Sequence, residues 1–210
     1  MDLSYTETQL KKRRAYPYRW HRVQNNRFDH LTDFVYGVED FDSVLEHMRR
    51  QFSGTADYQA AFDYALNRWY NFWSAAAVEH IFQESSRVIP ALNHRDRLVD
   101  FSIDGIEFDH KTSVFAKGYR RSLEYATGHP ENLIEWLYAN QSQQQRKHTR
   151  NRLFIVLHSS DGQHWKLKAE ISWLHTIINN YLLTFSADAV HRFQFSPAYT
   201  TLSDIIWGIR

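Results

Sequence analysis

The stretch RLVDFSIDGIEFDHKTS, Arg97 to Ser113, decides how this chain is read. Asp104-Gly105 sits between two runs in which apolar and polar residues alternate, and Asp-Gly is the dipeptide that two-residue hairpin turns favour, because both turn positions need positive φ. Closing the turn there sets Ile103 against Ile106, Phe101 against Phe108 and Asp100 against Asp109. Alternation then sends Val99, Phe101, Ile103, Ile106 and Phe108 to one face, and Asp100, Ser102, Glu107, Asp109 and Lys111 to the other. Two carboxylates directly opposed across a strand pair cost about 0.2–1 kcal/mol. A divalent cation removes that cost, and Mg²⁺ is commonly held by one or two carboxylates together with waters and substrate phosphate. Lys111, beside Asp109, would orient the attacking water and offset charge on the transition state, a trio suited to phosphodiester hydrolysis.

Outward from the hairpin, the pattern alternates helix and strand. Phe41, Val44, Leu45 and Met48 give helical spacing over Phe41 to Phe52. A longer helix is expected from Thr55, as N-cap, to about Glu84, with Phe62, Leu66, Trp69, Trp73 and Ala76/Ala77 on repeating steps. Arg87 to Ile89 reads as a short strand stopped by Pro90. Pro130 opens a helix carrying Leu133, Ile134, Leu137 and Tyr138 on one face and continuing towards Lys147. Leu153 to Leu157 is a continuous apolar run, as in a strand covered on both faces. Asp161-Gly162 is expected to lead into a strand over Trp165 to Ala169, followed by a helix over Ile171 to Leu183 and a strand over Val190 to Phe195. There is no repeat and no linker, the one biased stretch being Asn140 to Gln145, so residues 1–210 are expected to form a single α/β domain with a mixed sheet.

Asp100, the tripeptide Asp109-His110-Lys111 and Glu79, at the end of Ala75-Ala76-Ala77-Val78-Glu79, together resemble the active site of the PD-(D/E)xK nucleases. Those enzymes carry an acid on one strand, (Asp/Glu)-x-Lys on the next and often a Glu from the preceding helix. The order of elements over 57–158 is similar to the family's α-β-β-β-α-β, restriction-endonuclease-like core, leaving 1–54 as an N-terminal helical extension and 159–210 as a C-terminal strand and helix addition. The chain departs from the family pattern in having Val99 where Pro gives the motif its name, and Asp rather than Glu at position 109. The resemblance implies a Mg²⁺- or Mn²⁺-dependent DNA hydrolase. Asp100, Asp109, Glu79 and the backbone carbonyl of His110 would be metal ligands, Lys111 would position the water, and Gln144 would match a glutamine that some members place near the site. Two rivals stand beside it: a non-catalytic nucleic-acid-binding or assembly protein that keeps the nuclease-like fold, and an unrelated α+β domain whose hairpin is an ordinary edge.

The composition, 43% hydrophobic and 16% aromatic, is that of a chain that folds. Absence of cysteine excludes disulfides, thiol nucleophiles and thiolate metal sites and fits a reducing compartment. Met1 to Leu10 lacks the apolar core of a signal peptide, and no apolar run approaches membrane-spanning length, so a cytoplasmic protein without a membrane partner is expected. Twelve histidines without a His-x-x-x-His or Glu-x-x-His pair on an expected helix argue against zinc, although His158 and His164 flank a turn and could meet. The net charge of +1 decides nothing about partners. Lys11 to Arg22 interleaves bases with Tyr16, Tyr18 and Trp20 and reads either as a phosphate and base contact or as a solvated arm. Lys117, Arg120, Arg121, Arg146 and Lys147, with Arg150 and Arg152, flank the site and are the better set for a DNA backbone. DNA is the expected partner, with RNA left open. Trp69, Tyr70, Phe72 and Trp73 read as core packing or as the face of a homodimer.

Overall fold

The computed structural model describes residues 1–20, 27–92, 98–140 and 148–210. They form a mixed α/β protein that divides into two compact units: residues 1–78 with 168–173, and residues 79–167 with 174–210.

The first unit is helical. Helix α1 (Leu3–Lys12) starts where Asp2 accepts the Tyr5 N–H at 3.0 Å. A short helix α2 (Arg27–Leu31) precedes α3 (Phe41–Phe52), which is capped by Asp40 accepting from Ser43 N and buries Phe41, Val44, Leu45, Met48 and Phe52 as their spacing requires. Helix α4 (Tyr58–Gln83) supplies the buried Trp69 and Tyr70, and the indoles of Trp69 and Trp73 donate to the carbonyls of Val38 and Val35. Thr55 does not cap it, since its hydroxyl donates to Phe52 O at 2.8 Å and the helix opens three residues later. The basic N-terminal stretch is built into this unit and is not an arm. Arg13 is buried and donates to Tyr16 O, Pro17 O and Asn67 Oδ1, Lys12 pairs with Asp42, and Lys11 and Arg14 pair with Glu170. Arg22 lies outside the described residues.

The second unit is built on a six-stranded mixed sheet in the order β1-β2-β3-β4-β6-β5. Strands β1 (Val88–Pro90), β2 (Phe101–Ile103) and β3 (Ile106–Val114) form an antiparallel meander. The hairpin register is the expected one, with Phe101 opposite Phe108 and Ile103 opposite Ile106, and Asp104 and Gly105 both take positive φ, 49° and 85°. Helices α5 (Leu123–Gly128) and α6 (Pro130–Ala139) lead to β4 (Arg152–His158), which lies parallel to β3. Helix α7 (Ile171–Thr184), β5 (His191–Ser196) and β6 (Tyr199–Ile209) complete the chain.

Strand β4 is buried from Arg152 to Leu157 because β3 and β6 flank it and both faces are covered. On one face Phe154, Val156 and Ile205 pack with Ala126, Leu133, Ile134 and Tyr138 of α5 and α6. On the other, Phe101 stacks on Phe82 and Phe108 meets Phe185. Two expectations fail here. The alternation at Trp165 to Ala169 forms a 3₁₀ turn (His164–Ala169) and not a strand, and β6, the strand next to β4, was not foreseen. Among the described residues no helix is long and apolar enough to cross a membrane.

Candidate metal centre

The hairpin ladder stops one residue short of the expected acid pair. Asp109 N–H faces away from β2, as alternation along the ladder requires, and donates to Asn151 O at 3.1 Å on the β4 side. Asp100 N–H donates to Phe108 O, and Asp100 stands just outside β2 with its side chain released from the alternation. Its Oδ2 accepts from His110 N at 2.7 Å and lies 2.9 Å from His110 Nδ1. Glu79, on the last turns of α4, brings Oε1 to 3.8 Å from the same Nδ1.

Glu79, Asp100 and His110 therefore converge, each offering one ligand atom within 4.8 Å of the others. Ligands on opposite sides of a small divalent cation stand about 4.2 Å apart, so closing this group onto an ion needs shifts of a few tenths of an ångström. The donor set fits: two carboxylate oxygens and an imidazole nitrogen suit Mn²⁺ better than Mg²⁺, which prefers oxygen alone. Thr112, the next residue on His110's side of β3, has a buried hydroxyl with no hydrogen-bond partner among the described residues. The His110 ring is buried against Phe101 and Phe82. Burial pulls its pKa down, but the hydrogen bond and charge of Asp100, with Glu79 and Asp109 adding to them, carry it above the usual histidine value.

Asp109 points the other way. Its carboxylate is buried, hydrogen-bonded by Arg152 Nε, with His148 Nε2 at 3.5 Å. Arg152 lies beside it because Asp109 and Arg152 are register partners across the β3–β4 seam. Burial would raise the Asp109 pKa, but His148 and Arg152 hold it below the ordinary carboxylate value. Alternation puts Lys111 on Asp109's face, opposite His110. The expected facing pair of Asp100 and Asp109 with Lys111 alongside is thus split between two faces. The described residues that meet are Glu79, Asp100 and the ring of His110, for which only a backbone role was expected.

Among the basic residues, Lys117, Arg120 and Arg121 are exposed in the turn between β3 and α5, Arg120 at φ 57°. Arg152, by contrast, is committed to Asp109. Gln144, Arg146 and Lys147 lie outside the described residues, as does Arg97. His158 and His164 do meet, with ring centroids 4.7 Å apart. Sequence reasoning named Arg152 only as one of a set for a DNA backbone and not as the partner of Asp109, and it missed His148 and the His110 side chain. Alternation alone signalled the last, since it puts His110 on the face of Phe108. No family model matches the chain, and no curated protein or solved structure matches it.

Proposed function

We propose that this chain is a divalent-cation-dependent hydrolase of nucleic-acid phosphodiester bonds, acting on DNA, with Glu79, Asp100 and the His110 ring as cation ligands. The observation that carries the reading is the convergence of those three donors at the end of the hairpin. Support also comes from the element order α4, β1, β2, β3, α5, α6, β4, which, with the short α5 added, resembles the helix, three strands, helix, strand of the restriction-endonuclease-like core of the PD-(D/E)xK nucleases.

A bound cation would supply Lewis-acid polarisation of the phosphate and a more acidic water. The chain's own residues do the rest. Asp100 holds His110 in place through the backbone N–H and the ring, so one carboxylate fixes both the backbone of β3 at that residue and the imidazole. Glu79 comes from a helix, so its position is set by packing and not by a loop. The buried Asp109–Arg152 pair braces the seam between β3 and β4, directly behind His110. Lys111, on Asp109's face of β3 and opposite the His110 ring, is not given the water-orienting role at this cluster.

The Asp109–Arg152 pair also favours a second reading, a nucleic-acid-binding module without catalysis, because the acid of the tripeptide is already neutralised by a protein cation. Incubation of supercoiled, linear, single-stranded and RNA substrates with Mn²⁺ or Mg²⁺ separates the two. The hydrolase reading expects cleavage, faster with Mn²⁺ and reduced by about a hundredfold or more in Asp100→Asn, beyond what loss of a partner behind a ligand costs. Binding without cleavage in any metal supports the module.

A further inference from the structure

At the N-terminal ends of β3, β4 and β6 lies a cleft of about 360 Å³ lined by Leu98, Val99, Glu107, Arg150, Tyr199 and Thr200. Three features give it a chemistry. The Arg150 guanidinium lies over the Tyr199 ring, 4.7 Å from its centroid, while the residue remains exposed, so a flat, delocalised cation is held ready with one face open. The Tyr199 hydroxyl is itself fixed, 2.6 Å from Thr149 Oγ1, so the platform does not swing. Glu107 is exposed, and among the described residues neither its carboxylate nor Arg150 is held in an ion pair, although both line the same cleft. Asn151 is excluded as a recognition group, because its amide is spent on Glu107 O and on Leu202 N–H.

A stacking platform, a carboxylate that no described residue engages and an apolar wall at Leu98 and Val99 describe a pocket for a flat heterocycle that presents N–H donors. Among nucleobases guanine alone offers two adjacent donors, N1–H and the exocyclic amine, on its Watson–Crick edge. A carboxylate takes both side by side, whereas uracil or thymine offers one donor between two carbonyls that it repels. That edge is accessible only in an unpaired base. We propose that the cleft binds one unpaired guanine of a single-stranded nucleic acid, its ring stacked on Arg150 and its Watson–Crick edge on Glu107. The cleft's size, that of about one nucleotide, matches this occupant.

The proposal rests on the reading of nucleic acid as substrate and adds a base preference to it. Val99 lines the cleft and the next residue is the cation ligand Asp100. Glu107 is three residues before His110, about 10 Å along β3.

The test is fluorescence anisotropy in EDTA with labelled single-stranded 12-mers of thymidine that carry one central guanine, inosine, adenine or cytosine. Omitting the cation keeps the result independent of Glu79, Asp100 and His110. Expected are tighter binding of the guanine oligonucleotide by about tenfold, loss of that preference with inosine, which lacks the exocyclic amine, and its loss in Glu107→Gln, while Arg150→Gln weakens all four. Equal binding of all four oligonucleotides, or a guanine preference that survives Glu107→Gln, would overturn the proposal. A guanine preference without cleavage in Mn²⁺ would leave the cleft assigned and sink only the hydrolase reading. Both residues are exposed, and circular dichroism of each variant is the check that it folds.

Discussion

Asp109 shows how burial decides what a motif residue does. With 6% of its surface exposed, it cannot carry a charge alone, and Arg152, 2% exposed, supplies the opposite one from the neighbouring strand. Removing one partner of a buried pair costs about 3–5 kcal/mol, so Arg152→Met should lower urea-unfolding stability by that amount. The pH dependence gives a second reading. With Arg152 present the folded pKa of Asp109 is depressed, so its contribution is complete above the unfolded value, about 3.9, and is lost as pH falls through the folded value. In Arg152→Met His148 is the main group left to oppose burial, so the folded pKa is less depressed and the stability lost on acidification should be smaller than in the native protein. An unchanged acid limb would show that the pair does not act as described. The sequence announced an acid at 109 and a base at 152 but not that they meet, because that contact depends on which strand β3 pairs with after the hairpin.

The elements were legible where local chemistry governs them. The Asp104-Gly105 turn, the amphipathic face of α3, the Pro130 start of α6 and the apolar run of β4 each follow from a short-range rule, and each is found. Gly105 at φ 85° makes the turn testable: Gly105→Ala should destabilise the fold by about 1 kcal/mol in thermal or urea unfolding, whereas equal stability would mean the turn can relax. Elements governed by their neighbours were not legible. Trp165, Leu167 and Ala169 alternate as a strand would, but β3 and β6 already occupy both sides of β4, and the segment folds as a 3₁₀ turn. Conversely, β6 hides its identity behind polar residues that turn inward. Thr201 and Ser203 are fully buried because their hydroxyls donate to the carbonyls of Thr149 and Arg152.

At the scale of the molecule, a mixed α/β protein was foreseen, and its described residues gather into two compact units. The boundary at residues 78 and 79 falls inside α4, where helical periodicity runs through without a break. Glu79, the first residue of the second unit, belongs to the cluster of candidate ligands that it shares with Asp100 and His110. From the sequence two of those three were named as side-chain ligands; the third was hidden because alternation was taken to put the chemistry on the opposite face. Titration calorimetry with Mn²⁺ on the full chain, alongside His110→Asn and Asp109→Asn, tests this arrangement most directly. One Mn²⁺ should bind, with affinity lowered at least about tenfold by His110→Asn and kept in Asp109→Asn. No binding, or binding that depends on Asp109 and ignores His110, would contradict it.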